Sequence, residues 1–99
     1  MKKSKLEKAF AQYNKKYFQG KLLNPPKSKV CWAELGPLGV QEGNVIYMNK
    51  KYRTTDSIWR PTLLHEMVHM YLPKNVWHGP KFQKEMLRLA KAGAFNGLW

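Results

Sequence analysis

The sequence has a single cysteine, Cys31, in 99 residues. A disulfide within the chain is therefore excluded, and so is a zinc ribbon or finger built on cysteine pairs. Cys31 reads as a small apolar residue in a strand. Acidic residues are scarce as well. Six Asp and Glu stand against 18 Lys and Arg, for a formal net charge of +12. An imbalance of this size on a small body sets up a positive field and favours polyanionic partners, nucleic acid before acidic membrane surfaces. Long apolar runs are missing too. No stretch approaches the roughly 18 apolar residues of a membrane span. Glu7, Lys8 and Gln12 also interrupt the apolar run that a signal peptide would need after Met1-Lys2-Lys3. The expected setting is intracellular, either cytoplasmic or DNA-associated. Internal repeats and low-complexity tracts are absent, so the length is read as one domain over residues 1–99, expected to be a monomer.

What is present argues for a folded α+β domain. Hydrophobic residues make up 43% of the chain and aromatics 13%, which is enough for a packed core. Leu6, Phe10, Tyr13 and Tyr17 recur at steps of four and three and predict an amphipathic N-terminal helix with lysines outside. Gly20 suits its C-terminal cap, and Asn24-Pro25-Pro26 prevents continuation. Strands are expected over Lys29–Leu35, from Val40, and over Val45–Asn49, separated by turns at Gly36–Gly39 and Gly43-Asn44. Together they predict a small, mostly antiparallel sheet of about three strands. A second helix is expected to start at Asp56-Ser57, or nearer Arg60 because of Pro61, and to end near Leu72 before Pro73. His78-Gly79-Pro80 opens a last helix that closes at Gly93, with Phe82, Met86, Leu89 and Ala90 as its apolar face. The apolar residues of the tail 94–99 are expected to pack back on the body.

All three histidines fall in one stretch, Thr62-Leu-Leu-His65-Glu66-Met-Val-His69 through to His78-Gly79. Residues four apart on a helix lie about 40° apart around its axis, so His65 and His69 point the same way and can grip one ion. Glu66 can then reach a water on that ion without being a ligand itself. Leu63, Leu64, Met67, Val68, Met70, Tyr71 and Leu72 make nearly every other direction of this helix apolar. A helix buried almost all round must find partners for its polar groups, and a metal supplies them. After Pro73 the chain can return, which makes His78 the preferred third ligand. Glu85 is the alternative. Three imidazoles leave zinc an open fourth position, the arrangement of catalytic rather than structural sites, with one zinc per chain. Glu66 then acts as base toward a water there. Further polar contacts to a reacting carbonyl are candidates at Tyr71, Arg53 and Tyr47. Lys2, Lys3, Lys5, Lys15, Lys16, Lys50 and Lys51 are candidates for nucleic-acid contact.

These residues resemble the SprT-like, or Spartan-like, metalloproteases along most of the chain. Tyr17-Phe18-Gln19-Gly20-Lys21-Leu22 is similar to a helix-ending signature of that family. Val30-Cys31-Trp32 and Ile46-Tyr47-Met48-Asn49 are similar to its strands. Thr62–His69 and His78-Gly79-Pro80-Lys81-Phe82 carry the most specific likeness. The resemblance implies a compact zincin fold with zinc on His65, His69 and His78 and Glu66 as catalytic base. It also implies action on proteins attached or crosslinked to DNA. The loop between His69 and His78 is shorter than in the eukaryotic relatives, and the zinc ribbon many relatives carry has no counterpart here. Two other readings compete. A metal-dependent endoribonuclease also uses three histidines but does not need Glu66. A non-catalytic nucleic-acid-binding module with structural zinc would need a fourth protein ligand, for which only Glu85 or Cys31 is at hand.

Overall fold

The computed structural model describes residues 4–23, 27–73 and 78–96. The first helix, α1, covers Lys5–Tyr17. Its start carries a capping box that the periodicity did not reveal. The Glu7 amide donates to Ser4 Oγ at 3.1 Å, and the Ser4 amide donates to Glu7 Oε1 at 3.0 Å, so two orphan amide groups are satisfied. At the other end the amides of Phe18 and Gly20 both donate to the Asn14 carbonyl, and Gly20 sits at φ +72°. That left-handed position is what the expected glycine cap supplies. The buried Asn14 side chain holds the exit path by bonding both the amide and the carbonyl of Leu22, at 3.0 and 2.7 Å.

Three strands follow: β1 (Lys29–Ala33), β2 (Gly39–Glu42) and β3 (Val45–Asn49). They lie in the order β1-β3-β2. β2 and β3 form the expected antiparallel hairpin over Gly43-Asn44, with Gly43 at φ +56° in the first turn position. The pairing of β1 with β3 is parallel, so the sheet is mixed rather than mostly antiparallel. The reason is burial. Ile46 and Met48 are fully buried, which places β3 in the centre, paired on both sides, and sends β2 to the edge. The loop from β1 must then pass the end of β3. Asn49 ties it down there, donating through Nδ2 to the carbonyls of Leu35 and Pro37, both at 3.0 Å, while its Oδ1 accepts from the Lys51 amide.

A short 3₁₀ turn, Lys50–Tyr52, leads into α2, Asp56–Tyr71. The helix takes the earlier of the two expected starts and carries Pro61 inside it. The carbonyl that Pro61 leaves without its helical donor belongs to Ser57, an exposed residue. Asp56 anchors this first stretch by accepting from Trp59 Nε1 at 2.9 Å and from Arg60 Nε at 3.3 Å. Its pKa lies below the ordinary carboxylate value, chiefly through the Trp59 bond. Trp59, Leu63, Leu64, Met67 and Val68 are buried, and α2 packs under β2 and β3. The last helix, α3, spans Pro80–Lys91 with Pro80 in its first position and Gly93 at φ +89° beyond its end. Phe82 and Leu89 are buried and Met86 is partly buried, as expected, whereas Ala90 is exposed. The inward face of α3 packs mainly on α2, so the apolar stripe it needs is narrower than the spacing predicted. Ala94 and Phe95 fold back into the core; the rest of the expected tail packing, at 97–99, lies outside the described residues. Cys31 is a free, half-buried strand residue. Among the described residues no helix is long and apolar enough to cross a membrane.

Candidate metal centre

Helix α2 presents His65 and His69 one turn apart, and His78 arrives from the residue pair preceding α3. The three Nε2 atoms form a triangle with sides of 3.2 Å (His65 to His69), 3.0 Å (His69 to His78) and 3.3 Å (His65 to His78). Nitrogens held about 2.0–2.1 Å from a tetrahedral zinc lie about 3.3 Å from one another. The triangle therefore fits one such ion. The chemistry of the donors says the same. Three imidazole nitrogens converging on one point need a shared cation or protons between them, and the surroundings disfavour protons. Burial, then the neighbouring His69 and His78, push His65 down to about 4. His69 is lowered in the same way, by burial and by His78. Neutral imidazole is the ligand form.

Phe82 supports the trio in a way that sequence reasoning missed. Its buried ring stacks on His69 with centroids 4.6 Å apart, and lies 4.9 Å from both His65 and His78. One aromatic side chain thus restricts all three histidine rings. The available signal was its place one turn after His78, in the first turn of α3.

Glu66 lies beside the trio and is only 7% exposed. Among the described residues no donor or cation pairs with it. Burial raises its pKa from an ordinary 4.5 to about 7, into the range useful to a general base; a cation on the histidines acts in the opposite direction. The carboxylate and His65 border two adjoining hollows of the same cleft, one against β2 and the other against Pro61 and Met86. Gly39 of β2 lies between them. A Cβ there would stand 3.0 Å from Thr62 Cγ2 and 3.2 Å from Glu66 Cγ, so the absence of a side chain lets the edge strand approach the carboxylate.

The remaining candidates are not brought to this cleft. Tyr71 packs on Phe18 with centroids 5.5 Å apart and borders a separate hollow with Glu85 and Arg88. Tyr47 lies on the face of β3 opposite Ile46 and Met48. Arg53 is exposed beyond the 3₁₀ turn. Glu85, the alternative ligand, accepts from Arg88 Nε at 2.8 Å, and Arg88 in turn donates to the Tyr17 carbonyl. Glu85 is therefore held for the α1–α3 contact and stands outside the ligand group.

The candidate lysines are dispersed. Lys5 meets Asp56 at 3.5 Å and Lys50 meets Glu34 at 2.8 Å. Lys51 lies over the Tyr52 ring. Lys15 and Lys16 sit exposed on the last turn of α1, bordering a shallow groove with Tyr13 and Tyr17. Lys2 and Lys3 lie outside the described residues.

No curated protein matches the chain significantly. The sequence model of the SprT-like family matches residues 6–97, nearly the whole length. With three histidines placed to hold one ion and a buried glutamate beside them, this chain belongs to the SprT-like family, a group associated with zincin-type metalloprotease domains.

Proposed function

We propose that the protein is a zinc-dependent endopeptidase that acts on DNA-associated or DNA-crosslinked proteins. The observation that carries the reading is Glu66, a buried carboxylate without a partner among the described residues, bordering the same cleft as the three converging histidines. A structural zinc site has no use for such a group, and a ribonuclease of the three-histidine kind does not need it.

His65, His69 and His78 would hold the ion, and bound zinc would supply Lewis acidity toward a peptide carbonyl and toward an attacking water. Glu66 takes the proton from that water and passes it to the nitrogen of the departing amine. Helix α2 fixes the angle between ligand and base, because His65 and Glu66 are consecutive on a buried helix. The sheet edge orients the substrate. Leu38 and Asn49 form a hydrogen-bonded pair, the Asn49 amide donating at 2.9 Å. The alternation of an antiparallel ladder then aims the amides and carbonyls of Gly39 and Gln41 away from β3, where an extended peptide can pair with them. Support for a DNA-associated substrate is the net charge of +12 and the exposed lysines of α1.

The test is cleavage of a DNA-binding protein by the zinc-loaded chain, with single-stranded, double-stranded or no DNA, and with labelled RNA as a separate substrate. Glu66→Gln is expected to keep its zinc and lose roughly 10²–10⁴-fold in cleavage rate. Undiminished proteolysis by that variant, or hydrolysis of the RNA alone, would overturn the reading.

A further inference from the structure

The hollow on the far side of Gly39 from the sheet edge has a volume of about 430 Å³ and is bordered by Leu38, Pro61, Thr62, Met86 and Phe95, with His65 and Glu66 at one end. We propose that it is a specificity pocket that takes one bulky apolar side chain of the substrate, from the residue beside the cleaved bond. The inference rests on the endopeptidase reading and adds the class of residue selected.

Polarity is divided along the hollow. Among the described residues, the only titratable groups bordering it are His65 and Glu66, at the metal end. Thr62 adds little polarity, because its hydroxyl donates to the Ile58 carbonyl at 2.7 Å and its methyl faces Gly39. The rest is aliphatic, thioether and aromatic carbon. A peptide residue is divided in the same way, with a polar carbonyl next to its side chain. Charged and small side chains gain nothing at the carbon end, whereas a leucine, methionine or phenylalanine side chain removes apolar area from water. The volume falls within the range of small-ligand sites, about 300–1,000 Å³, which is ample for an aromatic ring.

Two further observations connect the hollow to a bound peptide. Gly39 borders both this hollow and the one along β2, and a Cβ at Gly39 would press on Thr62 and Glu66 where the two meet. The missing side chain lets β2 close down on α2 at the residue the two hollows share. Leu38 precedes Gly39 at the rim and is 46% exposed, one of few large apolar side chains so placed among the described residues. It places apolar surface at the rim, next to an outward-aimed strand amide.

The experiment uses peptide hydroxamates, which chelate zinc and differ only in one side chain: methyl, isobutyl, benzyl or carboxymethyl. Their affinities for the zinc-loaded protein are measured by calorimetry. The isobutyl and benzyl compounds are expected to bind about tenfold or more tighter than the methyl compound, with the carboxymethyl compound weakest. Leu38→Asp at the exposed rim and Met86→Gln at the half-buried wall are each expected to shrink that preference at least threefold while zinc content stays the same. Equal affinities across the series, no binding at all, or a preference untouched by both substitutions would overturn the proposal. A protein that prefers the apolar hydroxamates yet cleaves no protein would keep the pocket and refute the endopeptidase. Proteolysis with side-chain-blind hydroxamate binding would do the reverse.

Discussion

The cleft and the lysine-bearing surface are built on opposite plans. In the cleft, three nitrogens converge within 3.3 Å, one phenyl ring touches all three imidazoles, and a carboxylate is buried beside them. On the surface, the lysines are spread over α1 and the 3₁₀ turn, and several meet acidic or aromatic neighbours instead of one another. A site that performs chemistry must fix atoms to a fraction of an ångström. A surface that attracts a polyanion needs only an excess of like charge, and its effect is a sum over positions. Substitutions in the cleft should therefore act singly and steeply, and those on the surface weakly and cumulatively.

Phe82 gives the sharpest contrast. Phe82→Leu keeps an apolar core residue but removes the ring that packs on the ligands. Zinc affinity should fall by about 10–100-fold, as for other groups that orient ligands from behind. Competition with a chromogenic chelator measures it, and an unchanged affinity would mean that the imidazoles need no such support.

Lys15→Ala and Lys16→Ala provide the counterpart. Each should weaken DNA binding modestly and equally for all sequences, lowering the slope of log affinity against log salt by about 1 for each phosphate contact removed. Cleavage of an isolated unstructured peptide should not change. If one of the two abolished peptide cleavage, surface and cleft would not be separable.

The smallest effect concerns acid stability in the metal-free protein. His65 is held at about 4 against an ordinary 6.5, so between those values the unfolded chain binds a proton that the native one refuses. Its contribution to stability is lost as the pH falls through that window. Glu66 is raised to about 7 against 4.5, so the native state keeps a proton that the unfolded chain has released. Its contribution is lost as the pH rises through that second window. From about 4.5 to 6.5 the two oppose each other. Metal-free wild type should show a shallow pH profile there, and Glu66→Gln should lose stability more steeply on acidification. Urea melts at several pH values check this; identical profiles would contradict the burial of one group or the other.

The same contrast explains what could be read from residue order. The convergence of the three histidines, the position of Glu66 beside them and both flanking helices were legible because helical spacing fixes which side chains share a face. Pro73, Gly79 and Pro80 mark where the chain must turn to bring His78 back to His65 and His69. The parallel partnership of β1 and β3 was not legible. Turn residues report only on adjacent strands, and the order β1-β3-β2 depends on which strand the core of α2 covers. Pro61 was an ambiguous sign for a related reason: its cost depends on whether the orphaned carbonyl faces water, which is a tertiary property. Phe82 looked like ordinary core, and Gly39 like an ordinary turn. Their roles depend on approach distances between distant elements, to the histidine rings in one case and to Thr62 and Glu66 in the other. Tyr71, Tyr47 and Arg53 are polar residues near the motif in sequence, but α2 and β3 turn the two tyrosines toward other neighbours.

The proposed chemistry depends on a three-histidine zinc centre with one position open to solvent. X-ray absorption at the zinc edge, on protein loaded with one equivalent, tests it most directly. One zinc per chain is expected, with three imidazole nitrogens at about 2.0–2.1 Å and a fourth, exchangeable light-atom ligand. A sulfur at about 2.3 Å, a fourth ligand from the protein that does not exchange, or failure to retain zinc at neutral pH would contradict it.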